Sequence, residues 1–394
     1  MCATLAAIGC GSLGPVAALA PRGLPVWAIV MTVIAAAGLR HSGAGGMRRG
    51  VSVQTVTVGG LLLLACVSTL WSPSSRAVAT VVELGYIALG AAVIGRWATA
   101  LDAQEADRAI GWLLSGLAAG TLVFSVEAAF DHPLHRWWNT VPDDLDMDMT
   151  NVPKRTAAVL SLLAWAGGLA LHRRVGGWAG PALLVVCTAG SMLLSSRSAT
   201  LGLVAGLAAF GLATLSPLWS RRAVGGVLIA GFVLAVPLGL AAGQTLDAGY
   251  ADWLFPSARH RLEIWGHAAW RVLEAPLFGH GIDASRALRP EAGEWSRFGT
   301  LTDSLLPLHP HNGFLQVWLE LGLAGSTLVV VASLLMLSAT RRLGTEAQPY
   351  ALGLFAAGLA MANTAYGLWQ AWWMAGYLAA GTMLLAAQCA GNRR

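Results

Sequence analysis

The chain has 394 residues, of which 56% are hydrophobic and 11% charged, whereas an ordinary soluble domain carries about 25% charged residues. That balance excludes a soluble globule and points to a chain embedded in lipid. The formal net charge of +5 does not imply a nucleic-acid partner. The longest hydrophilic stretch mixes Arg259, Arg261 and Arg271 with Glu263, Glu274 and Asp283, so it carries no basic field.

Apolar windows of about 20 residues, the length that crosses a hydrocarbon core about 30 Å thick, recur over 3–21, 23–39, 51–70, 77–95, 108–130, 156–171, 177–194, 198–217, 223–242, 312–338, 349–368 and 371–389. The expected fold class is an all-α integral membrane protein with about 12 transmembrane helices. They divide into 1–243 and 311–394, separated by one large, partly helical segment, 244–310. Basic residues set the orientation. The Arg173-Arg174, Arg221-Arg222 and Arg341-Arg342 turns fall on one side, which predicts cytoplasmic N- and C-termini and an outer, periplasmic 244–310.

Polar features on the outer side follow in chain order. Asp143, Asp144, Asp146 and Asp148 form an acidic run before Lys154-Arg155, but the run lacks the glycine turn and closing glutamate of a calcium loop, so no metal is assigned. Cys2, Cys10, Cys66, Cys187 and Cys389 lack metal-type spacing as well. Lys154 is the only lysine; a chain that relies on arginine carries guanidinium groups that grip phosphate bidentately, although a GC-rich genome produces the same bias. Arg197 stands in the turn before 198–217, where free helix N–H groups also favour an anion.

Within 244–310, Ser257 can start a helix that Pro276 stops after Glu274. Arg261 and Trp265 share a face of it, offering a phosphate clamp beside a flat apolar platform, unless the helix lies on the bilayer with Leu262, Trp265, Ala269 and Leu273 in the interface. His311 stands at the outer end of the next apolar helix, where the dipole disfavours a second ring proton and leaves the neutral imidazole that a general base needs. Asn312 can orient the ring, and His309 is expected to tolerate truncation. Glu320 lies about 13 Å further along the same helix. A buried acid there costs roughly 2.5 to 3.5 kcal/mol, so it calls for a water-filled cavity or a polar contact with another element.

The series Ser196-Arg197-Ser198-Ala199, Arg261-x-x-x-Trp265, Pro276-x-x-Gly279-x-Gly281 and His311-Asn312-x-x-Leu315-Gln316-x-x-x-Glu320-x-Gly322 resembles the O-antigen ligase and polymerase superfamily of bacterial inner-membrane glycosyltransferases. The resemblance implies a GT-C-like, metal-independent enzyme without a cofactor, acting at the periplasmic face on an undecaprenyl-diphosphate-linked glycan donor. It places the essential histidine on His311, the diphosphate-binding arginines on Arg197 and Arg261, and, more loosely, the family's middle-helix basic pair on Lys154 and Arg155. Arg259, Trp265, Asn312 and Glu320 are then contact or support residues. A single dominant late loop favours the ligase, whose acceptor is a lipid A-core sugar hydroxyl; direct displacement would invert the anomeric centre. O-antigen polymerases and protein O-oligosaccharyltransferases share the motifs. A transporter of phosphorylated lipid-linked glycans, in which the arginines bind and no bond forms, is the alternative from a different class.

Overall fold

The computed structural model describes residues 2–41, 52–130, 132–138, 151–193, 196–247, 253–254, 256–288 and 308–390. The acidic run Asp143–Asp148 lies outside them. Every described element is helical: α1 (Cys2–Leu19), α2 (Leu24–His41), α3 (Val53–Ser68), α4 (Ala77–Ala100), α5 (Ala103–Ala129), α6 (Pro133–Trp138), α7 (Asn151–Arg174), α8 (Ala179–Leu193), α9 (Arg197–Leu215), α10 (Pro217–Asp247), α11 (Pro256–Glu274), α12 (Gly313–Ala339), α13 (Ala347–Ala362) and α14 (Ala371–Cys389). Each predicted apolar window falls on one of these helices.

Six helical stretches are long and apolar enough to cross a membrane: Pro21–His41, Ala77–Ala100, Ala103–Ala129, Arg197–Leu215, Pro217–Asp247 and Gly313–Arg342. The chain is thus a multi-pass membrane protein, all-helical among its described residues. Local chemistry marks where its helices start. Asp102 and Glu105 form a reciprocal capping box ahead of α5, Ser52 caps α3, and Asn312 caps α12 through Leu315 N–H, each meeting backbone donors that the first turn leaves unpaired.

Helix α7 runs through the centre, with Trp165 fully buried, and α14 contributes Trp373 to the same core. The arginine pairs used to orient the chain gather at the end remote from His311. Arg174 pairs with Asp107 at 2.9 Å, Arg173 donates to the carbonyls of Gln388 and Ala390, and Arg221 donates to Gln348 Oε1 at 2.9 Å. They therefore tie the ends of α5, α7, α10, α13 and α14 together as well as marking a side.

Two windows break differently from expectation. The 349–368 window ends as helix at Ala362, because Asn363 turns its amide back to Leu359 O and its Oδ1 out to Phe314 N–H; residues 363–370 become an irregular strap. The 312–338 window is interrupted at Gly322, with φ 60° and ψ −156°.

That break is stitched to the segment after α11. His280 and Gly281 donate to the carbonyls of Leu319 and Glu320 at 2.9 and 2.8 Å, while Leu323 and Ala324 donate to Pro276 and Leu277 at 2.9 and 3.1 Å. Irregular backbone is tolerated in a spanning helix only when its polar groups are met by protein or water, and here both sides of the break are met. A Cβ on Gly279 would stand 2.4 Å from the Glu320 carbonyl carbon, and one on Gly322 would stand 2.5 Å from that of Leu277. The Pro276-x-x-Gly279 and Glu320-x-Gly322 motifs are thus two halves of one backbone contact. Gly322→Ala, which meets both a left-handed φ and that clash, is expected to cost roughly 1–3 kcal/mol. It should appear as earlier loss of monodisperse protein on heating in detergent, and an unchanged transition would contradict the contact.

Candidate functional site

At the end of the molecule holding the start of α12, His311 sits just before the Asn312 cap and not inside the first turn, with φ 51°. A left-handed non-glycine residue costs about 1–2 kcal/mol, so its surroundings must hold it. His309 is buried and its Nδ1 accepts the His311 backbone N–H at 3.3 Å, with the two rings 4.2 Å apart. Trp265 donates its indole N–H to Pro310 O at 3.0 Å. The predicted flat platform is therefore an anchor for the histidine turn, its ring packed against the buried cluster of Ala235, Ala269 and Leu315.

The His311 ring is oriented by a backbone group. Its Nδ1 lies 3.0 Å from Ala365 O; a carbonyl only accepts, so Nδ1 carries the proton and Nε2 keeps its lone pair. Asn312 is occupied by its capping role and does not orient the ring. Burial lowers the His311 pKa; the Ala365 hydrogen bond raises it in part, and the nearby Arg261 and His260 lower it further. The neutral ring expected from the sequence is present, with burial in place of the helix dipole as its principal cause. His309, pushed down to about 3 by burial, then by His311 and Arg286, stays neutral too.

The strap 363–370 organises this end of the molecule, and its apolar composition concealed it within a predicted span. Ser198, beside Arg197, donates to Thr364 O at 3.3 Å. Ala365 holds His311, Gly367 backs the His309 ring, Leu368 N–H donates to Gln316 Oε1 at 2.8 Å, and Trp369 donates its indole N–H to Glu320 at 2.7 Å. Glu320 is fully buried, and its carboxylate also accepts from Asp283 N–H and Ser285 Oγ, both at 2.6 Å, and from Gln316 Nε2 at 3.1 Å. Polar contact, one of the two outcomes expected for this acid, is what the structure provides.

Arg261 projects from the exposed side of α11, and among the described residues no carboxylate pairs with it. Partial burial and the charge of Arg197 lower its pKa, yet an arginine so placed remains protonated. Arg197 occupies the first position of α9. It lines a shallow open groove whose other walls are Met192, Thr200, Leu201 and Val204, an apolar track with a cationic head. Arg259 is half-buried on α11; Lys154 is exposed and Arg155 half-buried near the start of α7. His260, near enough to act on the His311 charge, was not singled out in the sequence.

A possible ligand set for a metal lies elsewhere. Glu127, His132 and His135 bring ligand atoms within 4.8 Å of one another. The Glu127 carboxylate is, however, engaged in starting α6, accepting Leu134 N–H at 2.9 Å, His135 N–H at 3.2 Å and His135 Nδ1 at 2.6 Å.

Residues 182–330 match the family described as O-antigen ligase. That range contains Arg197, Arg259, Arg261, Trp265, His311, Asn312 and Glu320 and leaves Lys154 and Arg155 outside. A curated protein of Rickettsia bellii named "Putative polysaccharide ligase" is 31% identical over 169 residues, 41% of this chain and 40% of that protein. A relative of the same description from Rickettsia conorii is 34% identical over 124 residues, 30% of this chain and 29% of its own length. The chain thus spans about two fifths or less of the length of these relatives.

The supporting role of His309 departs from the tolerance expected of it. His309→Ala removes the acceptor of the His311 backbone N–H and should cost roughly 1–3 kcal/mol by releasing the left-handed turn, read as earlier loss of monodisperse protein on heating in detergent. An unchanged transition would dissociate His309 from the His311 geometry.

Proposed function

We propose that this protein is an O-antigen ligase-type glycosyltransferase, a reading supported by the match of residues 182–330 to that family, and that it moves O-antigen glycan from undecaprenyl diphosphate to a sugar hydroxyl of lipid A-core. It works at the periplasmic face of the bacterial inner membrane, with both termini in the cytoplasm. The observation that carries the reading is the Ala365 carbonyl on His311 Nδ1, which leaves an unprotonated Nε2 in the electrostatic reach of Arg261. A base and a phosphate-type cation side by side are what transfer from a diphosphate requires.

In this mechanism the acceptor oxygen attacks the anomeric carbon as its proton passes to His311 Nε2. The bond from that carbon to the diphosphate oxygen breaks, and its electron pair leaves with the diphosphate, so the anomeric centre inverts. Arg197 and Arg261 meet the growing charge on the leaving group without a metal. Lys154 widens the cationic field around them, and Arg259 stands on the same helix as Arg261. The groove beside Arg197 suits a polyprenyl chain leading from lipid to that head. Glu320, Trp265 and Asn312 hold the frame without touching the reacting atoms. Bond formation is favoured over transport because a ring held in one tautomer beside a cation serves proton transfer, which a transporter does not need.

His311→Ala should reduce product formation by roughly 10²- to 10⁴-fold with donor binding unchanged. Because the folded pKa lies below the usual value near 6.5, wild-type activity should hold through neutral pH and fall only in more acidic solution, as Nε2 gains a proton. Undiminished product, or a donor-binding loss that tracks the product loss, would remove the base role.

Arg197→Ala and Arg261→Ala should each raise the donor KM more than the matching Arg→Lys change, since lysine keeps charge but loses the two-pronged contact. Equal KM values for wild type and Arg261→Ala would take Arg261 out of the donor site.

Transfer should also survive EDTA. Loss on chelation, with recovery on adding a divalent ion, would instead bring the Glu127, His132 and His135 set or the Asp143–Asp148 run into the mechanism.

A further inference from the structure

A second cationic patch is linked to the His311 site through the strap, where Tyr366 follows Ala365. Arg22 stands exposed on the short helical turn Pro21–Gly23, which packs on α7 and α14. Thr156, next to Arg155, donates to Ala18 O at 3.2 Å, and Ala18, Ala157 and Ala199 are buried against one another with Phe124. The start of α7 is thereby locked to the end of α1, and Arg22 and Arg155 are brought within mutual electrostatic range, with Tyr366 as a further neighbour.

No carboxylate among the described residues pairs with Arg22 or Arg155. Two guanidinium groups held together without an acid leave a repulsion that an anion relieves. Tyr366 supplies the other half of a site. Its half-buried ring stands 4.7 Å from Trp372 and 5.4 Å from Trp373, and its hydroxyl makes no hydrogen bond among the described residues. It directly follows Ala365, the residue that holds His311. Such a ring offers a sugar a flat face and a hydroxyl partner one residue from the base.

We propose that Arg22, Arg155 and Tyr366 form an acceptor subsite that binds a sugar carrying a phosphate group, distinct from the donor-diphosphate site at Arg197 and Arg261. This rests on the transferase reading and adds to it a reason for acceptor choice: the anion pairs with the arginines, the sugar lies on the tyrosine, and the neighbouring hydroxyl faces His311 Nε2. Arg155, loosely matched to donor binding in sequence, then serves the acceptor.

The test compares wild type, Arg22→Ala and Arg22→Lys in liposomes with purified donor and lipid A-core. Arg22 is exposed, so its replacement should leave folding intact, which a melting measurement checks. Loss of a charge-assisted contact should raise the acceptor KM about tenfold or more, with donor KM unchanged and partial recovery in Arg22→Lys. With acceptor stripped of phosphate, wild type and Arg22→Ala should converge.

A rise in donor KM instead, or unchanged values for both substrates, would overturn the subsite. So would a wild-type–variant difference that vanishes when anionic lipids are replaced by phosphatidylcholine, since Arg22 would then be binding headgroups. If wild type forms no product at all, the transferase reading fails separately. The subsite is then read by direct binding of the deacylated, phosphorylated core oligosaccharide in detergent, where equal affinity of wild type and Arg22→Ala would overturn it.

Discussion

The buried carboxylate of Glu320 is the constraint on which the site depends. Its four donors come from Asp283 and Ser285 after α11, from Gln316 on its own helix and from Trp369 on the strap. A carboxylate removed from water without such partners costs several kcal/mol; with them it joins three segments that would otherwise pack independently. Two of the joined pieces reach His311: the strap through Ala365 O, and α12 through the Asn312 cap. An acid in the middle of α12 thus helps set where the His311 ring points.

The break at Gly322 is the second part of the same design. Two carbonyls before it and two amides after it are paired with the segment Pro276–Gly281, which is also fastened to the α3–α4 turn by Ser72 Oγ on Ile282 O at 2.7 Å and Ser74 Oγ on Asp283 Oδ2 at 3.0 Å. The hydrophilic segment is therefore not a cap laid over the membrane helices. Its middle, the stretch just after α11, is built into α12, and this fixes the position of α11 and the Arg261 it carries.

Much of the helical layout was legible because lipid imposes length and composition together, so each apolar window met a helix. Asn312 was legible as a position, since a short polar residue ahead of an apolar run caps it, but its task was misread because the cap consumes the side chain. The orienting group, Ala365 O, had no signature: any residue supplies a carbonyl, and this one lies 54 positions from His311. Gly322 was visible as a motif position, but the helix break it makes was not legible without its long-range donors, and Trp265 showed its face but not its N–H partner. The strap was hidden because Tyr366, Leu368 and Trp369 kept its window apolar; Asn363-Thr364 and Gly367 were the local signs that the helix stops.

What unites these features is a single ring state. His309, Trp265, the strap and Glu320 all converge on holding His311 with its proton on Nδ1. The most direct measurement is nitrogen NMR of the protein labelled at histidine ring nitrogens, with His311→Gln used to assign the signal. At neutral pH the account predicts the Nδ1–H tautomer, an unprotonated Nε2 and a titration midpoint below 6.5. An Nε2–H tautomer, or a ring that is doubly protonated at neutral pH, would contradict it.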